Sequence, residues 1–123
     1  MLAGIGTDIV EIERVKNAFD RRSRFVEKYF TEREADYFEE RKWNASTLAG
    51  YFAAKESVAK ALGSGFRSFP MKDVEILKDS FGKPSVVLHQ KAKERAEQIG
   101  VTDVLISISH CRDYAVAYAT AIG

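Results

Sequence analysis

The sequence predicts an α+β fold in which a mostly antiparallel sheet packs against one long central helix. Segments with strand-like patterns lie near both ends of the chain and again after its midpoint. The last two of these segments flank a short turn at 111–113, an arrangement typical of paired antiparallel strands. Between the strands, an alanine-rich segment at 45–62 has the length and composition of a helix. The 123 residues correspond to a single domain, 1–123.

The first half of the chain predicts one strand followed by short helices. Residues 2–10 are apolar with small residues interspersed, which indicates a buried strand. The helical pattern over 13–30 is interrupted by the basic stretch 20–24, so we expect two short helices there. Thr31 and Glu34 have the spacing of a capping box, which predicts that a third helix begins at this point.

The second half predicts the central helix and then the remaining strands. The helix over 45–62 should end at the glycines of 63–65. Beyond Pro70 the pattern predicts two strands, one helix and two further strands, at 73–77, 85–88, 89–99, 104–110 and 114–119.

Composition and charge indicate a globular protein with no bulk preference for nucleic acid. Hydrophobic residues make up 46% of the chain and charged residues 30%, and the formal net charge is +1. Cys111 is the only cysteine, which excludes an internal disulfide framework. The first residues lack the basic segment of a signal peptide, and no apolar run approaches the ~20 residues that span a bilayer. We therefore expect a cytoplasmic protein that binds neither membranes nor nucleic acid.

Asp8 is the most unusual residue of the first predicted strand. Aspartate is depleted in strands, and a buried carboxylate needs a partner or a metal ion. Strand alternation places Asp8 on the same face as Gly4 and Gly6, which would leave room above it for a ligand. The alternative is that Asp8 caps the helix that follows or forms a turn, and the sequence alone leaves both interpretations open.

The central helix carries three charged residues near its middle. At about 100° per residue, one apolar stripe of the helix has Lys55 at its centre. The members of that stripe are Leu48, Phe52, Ala59 and Leu62. The simplest interpretation is that the Lys55 stem lies along this surface and its ammonium reaches water. Glu56 and Lys60 are four residues apart, in the order that favours a surface ion pair.

Asp8 and Glu56 together could bind Mg²⁺, which is commonly held by one or two carboxylates with waters and substrate phosphates. Glycine loops beside positive charge, at 63–65 and 82–83, could present backbone amides to phosphate, although most glycine turns have no such role. His110 ends a strand on its apolar face, where a single histidine is more often a core residue than a ligand.

A dense group of basic residues lies in the first helical region of an otherwise nearly neutral chain. It consists of Arg14, Lys16, Arg21, Arg22 and Arg24, with Phe19 and Phe25 close by. A charge run is usually a solvated face, but this density is also typical of a docking patch for an acidic partner. The sequence has no aromatic–basic RNA motif and no zinc finger that would favour nucleic acid instead.

Several sequence blocks occur in a specific order along essentially the whole chain. They are Gly4–Val10, Phe52–Ser57 with Lys60–Gly63, Gly82–Pro84, and Ser107–His110 with Tyr114-Ala115. In these blocks the chain resembles the holo-[acyl-carrier-protein] synthases, the small members of the 4'-phosphopantetheinyl transferase superfamily. Each block alone is common, but their combination is specific.

The resemblance implies a 4'-phosphopantetheinyl transferase-like fold and an Mg²⁺-dependent reaction. The 4'-phosphopantetheine arm of coenzyme A would be transferred to a serine of apo acyl carrier protein, in support of fatty acid biosynthesis. The other product would be adenosine 3',5'-bisphosphate. The resemblance also implies a homotrimer with sites between subunits.

The resemblance assigns roles to individual residues. The catalytic residues would be Asp8, Glu56 and Lys60, with Mg²⁺ held by the two carboxylates against the pyrophosphate of coenzyme A. The coenzyme would be bound by Lys60, Gly63, Ser64, Gly65, Gly82, Lys83, Pro84, Ser109 and His110. The acidic carrier protein would dock on Arg14, Arg21, Arg22, Arg24 and Phe25. The serine proton could pass to Glu56, to a metal-bound water or to His110, and we favour Glu56 or a water that it orients.

The chain departs from the family pattern at two places and leaves two other functions open. Tyr51 stands where many relatives have arginine, and 43–46 replaces a stretch that is often basic, which puts a phosphate or interface contact at position 51 in question. The first alternative function is a transferase for carrier domains of secondary metabolism. The second is a noncatalytic oligomeric module that binds an acidic protein. Metal-dependent turnover separates the enzyme from the binding module.

Overall fold

The computed structural model describes residues 1–21 and 24–123. Its strands are β1 (Leu2–Glu11), β2 (Val74–Lys78), β3 (Pro84–Leu88), β4 (Asp103–His110) and β5 (Tyr114–Ile122). Its α-helices are α1 (Ile12–Arg21), α2 (Phe25–Tyr29), α3 (Glu32–Glu40), α4 (Ala45–Ala61) and α5 (Gln90–Gln98). Each strand and α-helix predicted from the sequence is present. The additions are two short 3₁₀ helices after α4, at Gly65–Arg67 and Met71–Asp73.

The strands form two antiparallel sheets rather than one. In the larger sheet β5 lies between β1 and β4, so that the first and last strands of the chain pair directly, with Asp8 opposite Ala117. β2 and β3 form the smaller, two-stranded sheet. The predicted α+β class, the antiparallel pairing and the long helix across the larger sheet are confirmed.

α4 lies directly on the backbone of β1, and two glycines permit this approach. A Cβ atom at Gly6 would lie 2.8 Å from the backbone nitrogen of Ala61 and closer still to the carbonyl oxygen of Ser57. A Cβ atom at Gly4 would collide with the carbonyl oxygen of Ala61 in the same way. The space above these glycines, which the sequence analysis expected to hold a ligand, is therefore filled by the backbone of α4.

The strand beside β1 continues this surface of small residues. β5 places four buried alanines on the face that packs under α4, namely Ala115, Ala117, Ala119 and Ala121. Because side chains alternate along a strand, these alanines share one face and leave the larger residues of β5 on the other. Glycine in β1 and alanine in β5 together bring the helix close to the larger sheet.

α4 is buried on nearly all sides, which differs from the single apolar stripe expected from the sequence. Beyond its first turn, the residues of α4 that reach the surface are Phe52, Glu56 and Lys60. These residues are four apart and form one line along the helix, while the larger sheet, α1 and β2 cover its other sides. α4 is the longest helix, with 17 residues, and no helix among the described residues has both the length and the apolar character needed to cross a membrane.

The sequence analysis expected the ammonium of Lys55 to reach water, but the structure places it in the core. Its side chain is fully buried, and Nζ donates a hydrogen bond to Glu34 Oε1 at 2.7 Å. Glu34 belongs to the predicted capping box, which is confirmed, and its carboxylate accepts from the backbone nitrogens of Thr31 and Ile76. The lysine within the apolar helix is therefore explained by a buried partner from another helix.

Gly6→Ala tests the close packing of α4. We expect this substitution to lower the free energy of unfolding by at least about 2 kcal/mol, because the new methyl group collides with a helix backbone held by the core. Urea unfolding followed by circular dichroism measures the loss. Gly82→Ala is the control, since a Cβ atom there meets open space and should cost only ~1 kcal/mol through its positive φ angle. Equal losses in the two variants would contradict the account.

Candidate active site

Asp8 lies within β1, and its side chain meets α4. Its Oδ1 atom accepts a hydrogen bond from Lys60 Nζ at 3.2 Å, and the same ammonium donates to the carbonyl oxygen of Thr7 at 2.9 Å. The Oδ2 atom is buried and has no hydrogen-bond partner among the described residues. A buried anionic oxygen without a donor is costly, so this atom is available to a cation or to a hydrogen-bond donor. Because Asp8 is paired within the sheet opposite Ala117, the alternative role as a helix cap is excluded.

Glu56 on α4 supplies a second carboxylate near Asp8. Burial, and then the negative charge of Asp8, raise the pKa of Glu56 above its ordinary value, while Lys60 opposes the rise. The two carboxylates are thus close enough to repel each other. Among the described residues Lys60 forms its ion pair with Asp8, whereas the helical spacing predicted a pair with Glu56.

The two carboxylates have the features of a Mg²⁺ site. Mg²⁺ keeps several of its waters, so one or two protein carboxylates are sufficient to hold it. A cation between them would satisfy Asp8 Oδ2 and would screen the repulsion that raises the pKa of Glu56. In the described part of the chain, no group of three or more His, Cys, Asp or Glu side chains is arranged to hold a metal ion. The remaining ligands would therefore come from water or from a substrate.

The C-terminal end of α4 borders a shallow depression that contains several predicted coenzyme-binding residues. Its lining residues are Lys60, Gly63, Ser64, Gly65, Phe66 and Arg67. Gly63 and Gly65 have φ angles of 82° and 59°, which glycine adopts without strain. Arg95, which the sequence analysis did not single out, donates from Nε to the carbonyl oxygen of Leu62 at 3.0 Å and so holds the helix end beside this loop. The depression offers two cations and exposed backbone to an anion.

A second cavity, of about 630 Å³, contains other predicted residues. Gly82, Pro84 and His110 line it. The basic residues that line it as well are Arg41, Lys42 and Lys78. Burial, and then the positive charge of Arg41, lower the pKa of Lys78. Among the described residues, this cavity and the depression at Lys60 have no lining residue in common, so one chain does not gather all the predicted coenzyme-binding residues in one place.

The sequence analysis did not anticipate the basic residues of the second cavity. Arg41 and Lys42 follow the end of α3, whereas Lys78 ends β2. They come together because β2 packs against both α3 and α4. The sequence offers one signal for them, a basic pair next to a helix end, and that signal is common on protein surfaces.

The resemblance assigns three further residues to the coenzyme, namely Ser109, Lys83 and His110. Ser109 is exposed on the face of β4 opposite His110, so it does not line the second cavity. Lys83 lies in the turn between β2 and β3, where its backbone N–H donates to Asp79 Oδ1 at 2.9 Å. His110 is exposed, which corrects the interpretation of it as a core histidine.

A mostly apolar groove of about 680 Å³ lies beside Glu56, between β1, α1 and α2. Arg14 and Phe25, both assigned to carrier-protein docking, line this groove together with Glu56. The lining residues that the sequence analysis did not single out include Tyr29, Phe52, Met71 and Tyr114. They belong to separate elements, and apolar side chains at such positions are equally typical of a core.

The other basic residues of the docking patch are only partly placed. Arg24 is exposed and immediately precedes α2. Arg21 is the last residue of α1, and Arg22 lies outside the described residues. The structure therefore brings Arg14 and Phe25 of this patch to the groove and leaves Arg21 and Arg22 as predictions.

Comparison with protein families identifies the group to which the chain belongs. Residues 4–119 match the family described as the 4'-phosphopantetheinyl transferase superfamily. A holo-[acyl-carrier-protein] synthase of Clostridium acetobutylicum is 53% identical over 97% of this chain and 96% of its own length. A synthase of the same name from Alkaliphilus oremlandii is 50% identical over 99% of this chain and its full length. The chain belongs to the holo-[acyl-carrier-protein] synthase family.

Solved structures of this family have the same fold. The holo-[acyl-carrier-protein] synthase of Neisseria meningitidis aligns over 100% of both chains with a TM-score of 0.90 and 31% identity. The synthase of Helicobacter pylori, solved in complex with coenzyme A, aligns over 96% of this chain and 99% of its own with a TM-score of 0.84 and 29% identity. The structural similarity therefore extends over essentially the whole chain.

The structure shows the role of Tyr51, the position at which the sequence analysis questioned a phosphate or interface contact. Tyr51 is buried, and its ring stacks on Tyr37 with a centroid distance of 5.5 Å. The Nζ atom of Lys78 lies 5.6 Å from the centre of the Tyr51 ring. Position 51 thus contributes to the core, and Lys78 supplies a positive charge beside it at the second cavity.

Glu56→Gln tests the electrostatic description of the site. Because the folded protein raises the pKa of Glu56, ionised Glu56 destabilises the metal-free fold, and the penalty grows as pH rises above the ordinary value of 4.5. The substitution should therefore raise the melting temperature of the metal-free protein at pH 7 by about a few degrees. The gain should vanish below that ordinary value, where wild-type Glu56 is protonated in both states. Thermal unfolding at several pH values measures the difference.

Mg²⁺ binding can be followed in the same thermal unfolding experiment. Mg²⁺ should raise the melting temperature of the wild type and leave Asp8→Asn and Glu56→Gln unchanged, because each variant lacks one ligand. Glu11→Gln is the control, because it removes an exposed carboxylate from the groove beside Glu56. Its melting temperature should rise with Mg²⁺ as that of the wild type does. A wild-type response in Asp8→Asn and Glu56→Gln would show that the ion binds elsewhere.

Proposed function

We propose that this protein transfers the 4'-phosphopantetheine group of coenzyme A to a serine of apo acyl carrier protein in an Mg²⁺-dependent reaction. The products are holo acyl carrier protein and adenosine 3',5'-bisphosphate. The observation that carries the proposal is the buried Asp8 oxygen without a partner, beside the carboxylate of Glu56. It is supported by the family of the chain and by the coenzyme A complex of the Helicobacter pylori relative.

The residues of the site fit the charge of a pyrophosphate. Asp8 and Glu56 would hold Mg²⁺, which when bound neutralises negative charge on the pyrophosphate of coenzyme A. Lys60 is 52% exposed and borders the depression at Gly63, so its ammonium can turn from Asp8 to a phosphate oxygen. The transfer joins the serine oxygen to the phosphorus that bears the pantetheine arm and breaks the bond from that phosphorus to adenosine 3',5'-bisphosphate. Positioning and charge neutralisation are what phosphoryl transfer chiefly requires.

We assign the serine proton to Glu56, directly or through a water that it orients. A glutamate carboxylate is a common general base for a hydroxyl proton. Glu56 also lines the groove beside the docking residues, where a carrier serine would enter. His110 lines the second cavity and so lies apart from this groove within one chain.

The carrier protein would dock across the groove that Arg14, Phe25 and Glu56 line. The exposed Arg14 and Arg24 provide positive charge that attracts an acidic protein and aligns it. Arg21 and Arg22 would extend this basic surface along the chain. We propose acyl carrier protein of fatty acid biosynthesis, in the cytoplasm, as the partner. The alternative substrates are carrier domains of secondary metabolism. Transfer rates measured on both kinds of carrier distinguish the two possibilities.

We propose that three copies assemble through the open face of the larger sheet, with sites between subunits. The face opposite α4 carries exposed apolar side chains, including Ile5, Ile9, Leu105, Val116 and Tyr118. Ile5 and Ile9 are 60% and 65% exposed, and soluble monomers rarely leave such a patch open. Within one chain, the cavity at His110 and the depression at Lys60 are separate. Assembly would allow the cavity of one copy to face the depression of another.

Intact-mass spectrometry of apo acyl carrier protein, incubated with this protein, coenzyme A and Mg²⁺, tests the activity. We expect a mass gain of one phosphopantetheine group that a chelator abolishes. Asp8→Ala and Glu56→Ala should each lower the rate by on the order of a hundredfold or more, because losing the ion removes several kcal/mol of charge stabilisation. Glu94→Ala removes an exposed carboxylate from α5, away from the cavities described above, and is the control that should stay near the wild-type rate.

Two outcomes would contradict this proposal. The first is a near-normal rate in Asp8→Ala or Glu56→Ala at saturating Mg²⁺. The second is the absence of any mass gain when the folded wild-type protein is tested with several carrier proteins, which would favour a noncatalytic binding module.

Carrier domains of secondary metabolism should react more slowly than acyl carrier protein.

Subunit mixing tests whether the sites lie between copies. Light scattering should give a mass three times the 13.8 kDa of one chain. Asp8→Ala and the double variant Arg41→Ala/His110→Ala should each be nearly inactive alone. Co-expression of the two should restore activity, because mixed assemblies contain sites with both halves intact. A monomeric mass, or a mixture no more active than its parents, would contradict the shared site.

A further inference from the structure

Lys55 lies one residue before Glu56 on α4, yet its side chain enters the core on another side of the helix. Its Nζ atom donates to three acceptors on three separate segments. These are Glu34 Oε1 at 2.7 Å, the carbonyl oxygen of Tyr29 at 3.0 Å and the carbonyl oxygen of Met71 at 3.4 Å. One buried ammonium therefore connects α4 with α3, with the end of α2 and with the second 3₁₀ helix.

Two of these acceptors belong to the wall of the groove beside Glu56. Both Tyr29 and Met71 line that groove. The Tyr29 ring packs edge-on against Phe25 with a centroid distance of 4.9 Å, and Phe25 is itself a groove residue. The hydrogen bonds of Lys55 thus fix the backbone from which the groove side chains project.

α2 is held by the packing of Phe25, Val26 and Tyr29 against the core and by two lysines. It has five residues, none of them fully buried, and a helix of this length is not stable by itself. Two lysines bind its carbonyl oxygens, Lys55 at Tyr29 and Lys72 at Glu27, the second at 2.8 Å. Lys72 is exposed, whereas the bond of Lys55 lies in the core, where hydrogen bonds hold geometry more strictly.

Glu34 supplies the charge that balances Lys55. It is fully buried and accepts from the backbone nitrogen of Ile76 at 2.9 Å, which ties the pair to β2. Burial lowers the pKa of Lys55 and raises the pKa of Glu34, so removing the pair from water costs free energy. Since apolar residues of similar size usually stabilise a core at least as well as a buried ion pair, the pair is better explained by the geometry that it imposes.

We propose that Lys55 is a positioning residue for the protein substrate. By holding the backbone of Tyr29 and Met71, it sets the shape of the groove that receives the carrier protein. Its three acceptors include no residue of the Asp8–Glu56 site or of the depression at Lys60. This inference rests on the proposed function, because it assigns the groove to the carrier protein.

The double variant Lys55→Met/Glu34→Gln tests the proposal without leaving a buried charge alone. Methionine keeps an unbranched stem and removes the three donated hydrogen bonds, and glutamine removes the opposite charge. In steady-state transfer assays, we expect the KM for apo carrier protein to rise by on the order of tenfold. The KM for coenzyme A and the Mg²⁺-induced rise in melting temperature should stay at wild-type values. The melting temperature should fall, because the carbonyl oxygen of Tyr29 and one backbone N–H at position 34 of the variant lose their partners, so the assays are run well below the unfolding transition.

Lys72→Met is the matched control for loss of positive charge beside α2. Its effect on the KM for the carrier protein should be small and should fade as salt is added, because Lys72 is exposed. The effect of the double variant should persist at high salt, since it arises from the shape of the groove.

Each outcome of these assays has one meaning. A raised KM for coenzyme A, or a lost Mg²⁺ response, would assign Lys55 to the coenzyme site and overturn the proposal. An unchanged KM for the carrier protein would also overturn it. The wild type, assayed in parallel, separates this inference from the proposed function: no transfer by the wild type contradicts the function itself, whereas normal wild-type transfer with unaltered variant kinetics contradicts only the role of Lys55.

Discussion

The contact between the backbone of α4 and the glycines of β1 is the constraint on which the site depends. Without Gly4 and Gly6, the helix could not lie against the strand at this distance. With them, Glu56 and Lys60 on α4 reach Asp8 on β1 from a regular helix to a regular strand. Groups held on such elements keep their geometry better than groups held on loops, so the two carboxylates meet in a defined arrangement before any ion binds.

The order and type of the helices and strands could be predicted because the residues that indicate them are close together in the sequence. Which face of a strand or helix is buried could not be predicted, because that depends on residues far away in the chain. The Thr31–Glu34 capping box and the glycine after α4 mark helix ends within a few residues. By contrast, a glycine-bearing strand face is equally typical of a ligand site and of a helix contact. The sequence likewise favours a lysine that reaches the surface at position 55, because its partner Glu34 is 21 residues away in the chain.

The candidate site likewise has one part that could be predicted from the sequence and another part that could not. The chemistry of Asp8, Glu56 and Lys60 could be predicted from residue type and resemblance, and the structure brings these residues together. The groove wall and the basic second cavity depend on tertiary packing between separate elements, so their residues carried no sequence signal beyond ordinary surface or core composition. The neighbours Lys55 and Glu56 illustrate this difference. Lys55 is buried in the core, whereas Glu56 lines the groove.

A crystal structure of the protein with coenzyme A and Mn²⁺ in place of Mg²⁺ would show which residues hold the metal ion, because Mn²⁺ can be located by its anomalous scattering. We expect one strong anomalous peak in contact with Asp8 Oδ2 and the Glu56 carboxylate, at roughly 2.0–2.3 Å from the oxygens, with the remaining ligands from water and the pyrophosphate. A peak away from these carboxylates, with the coenzyme bound, would contradict the assignment of Asp8 and Glu56 as the residues that hold the ion.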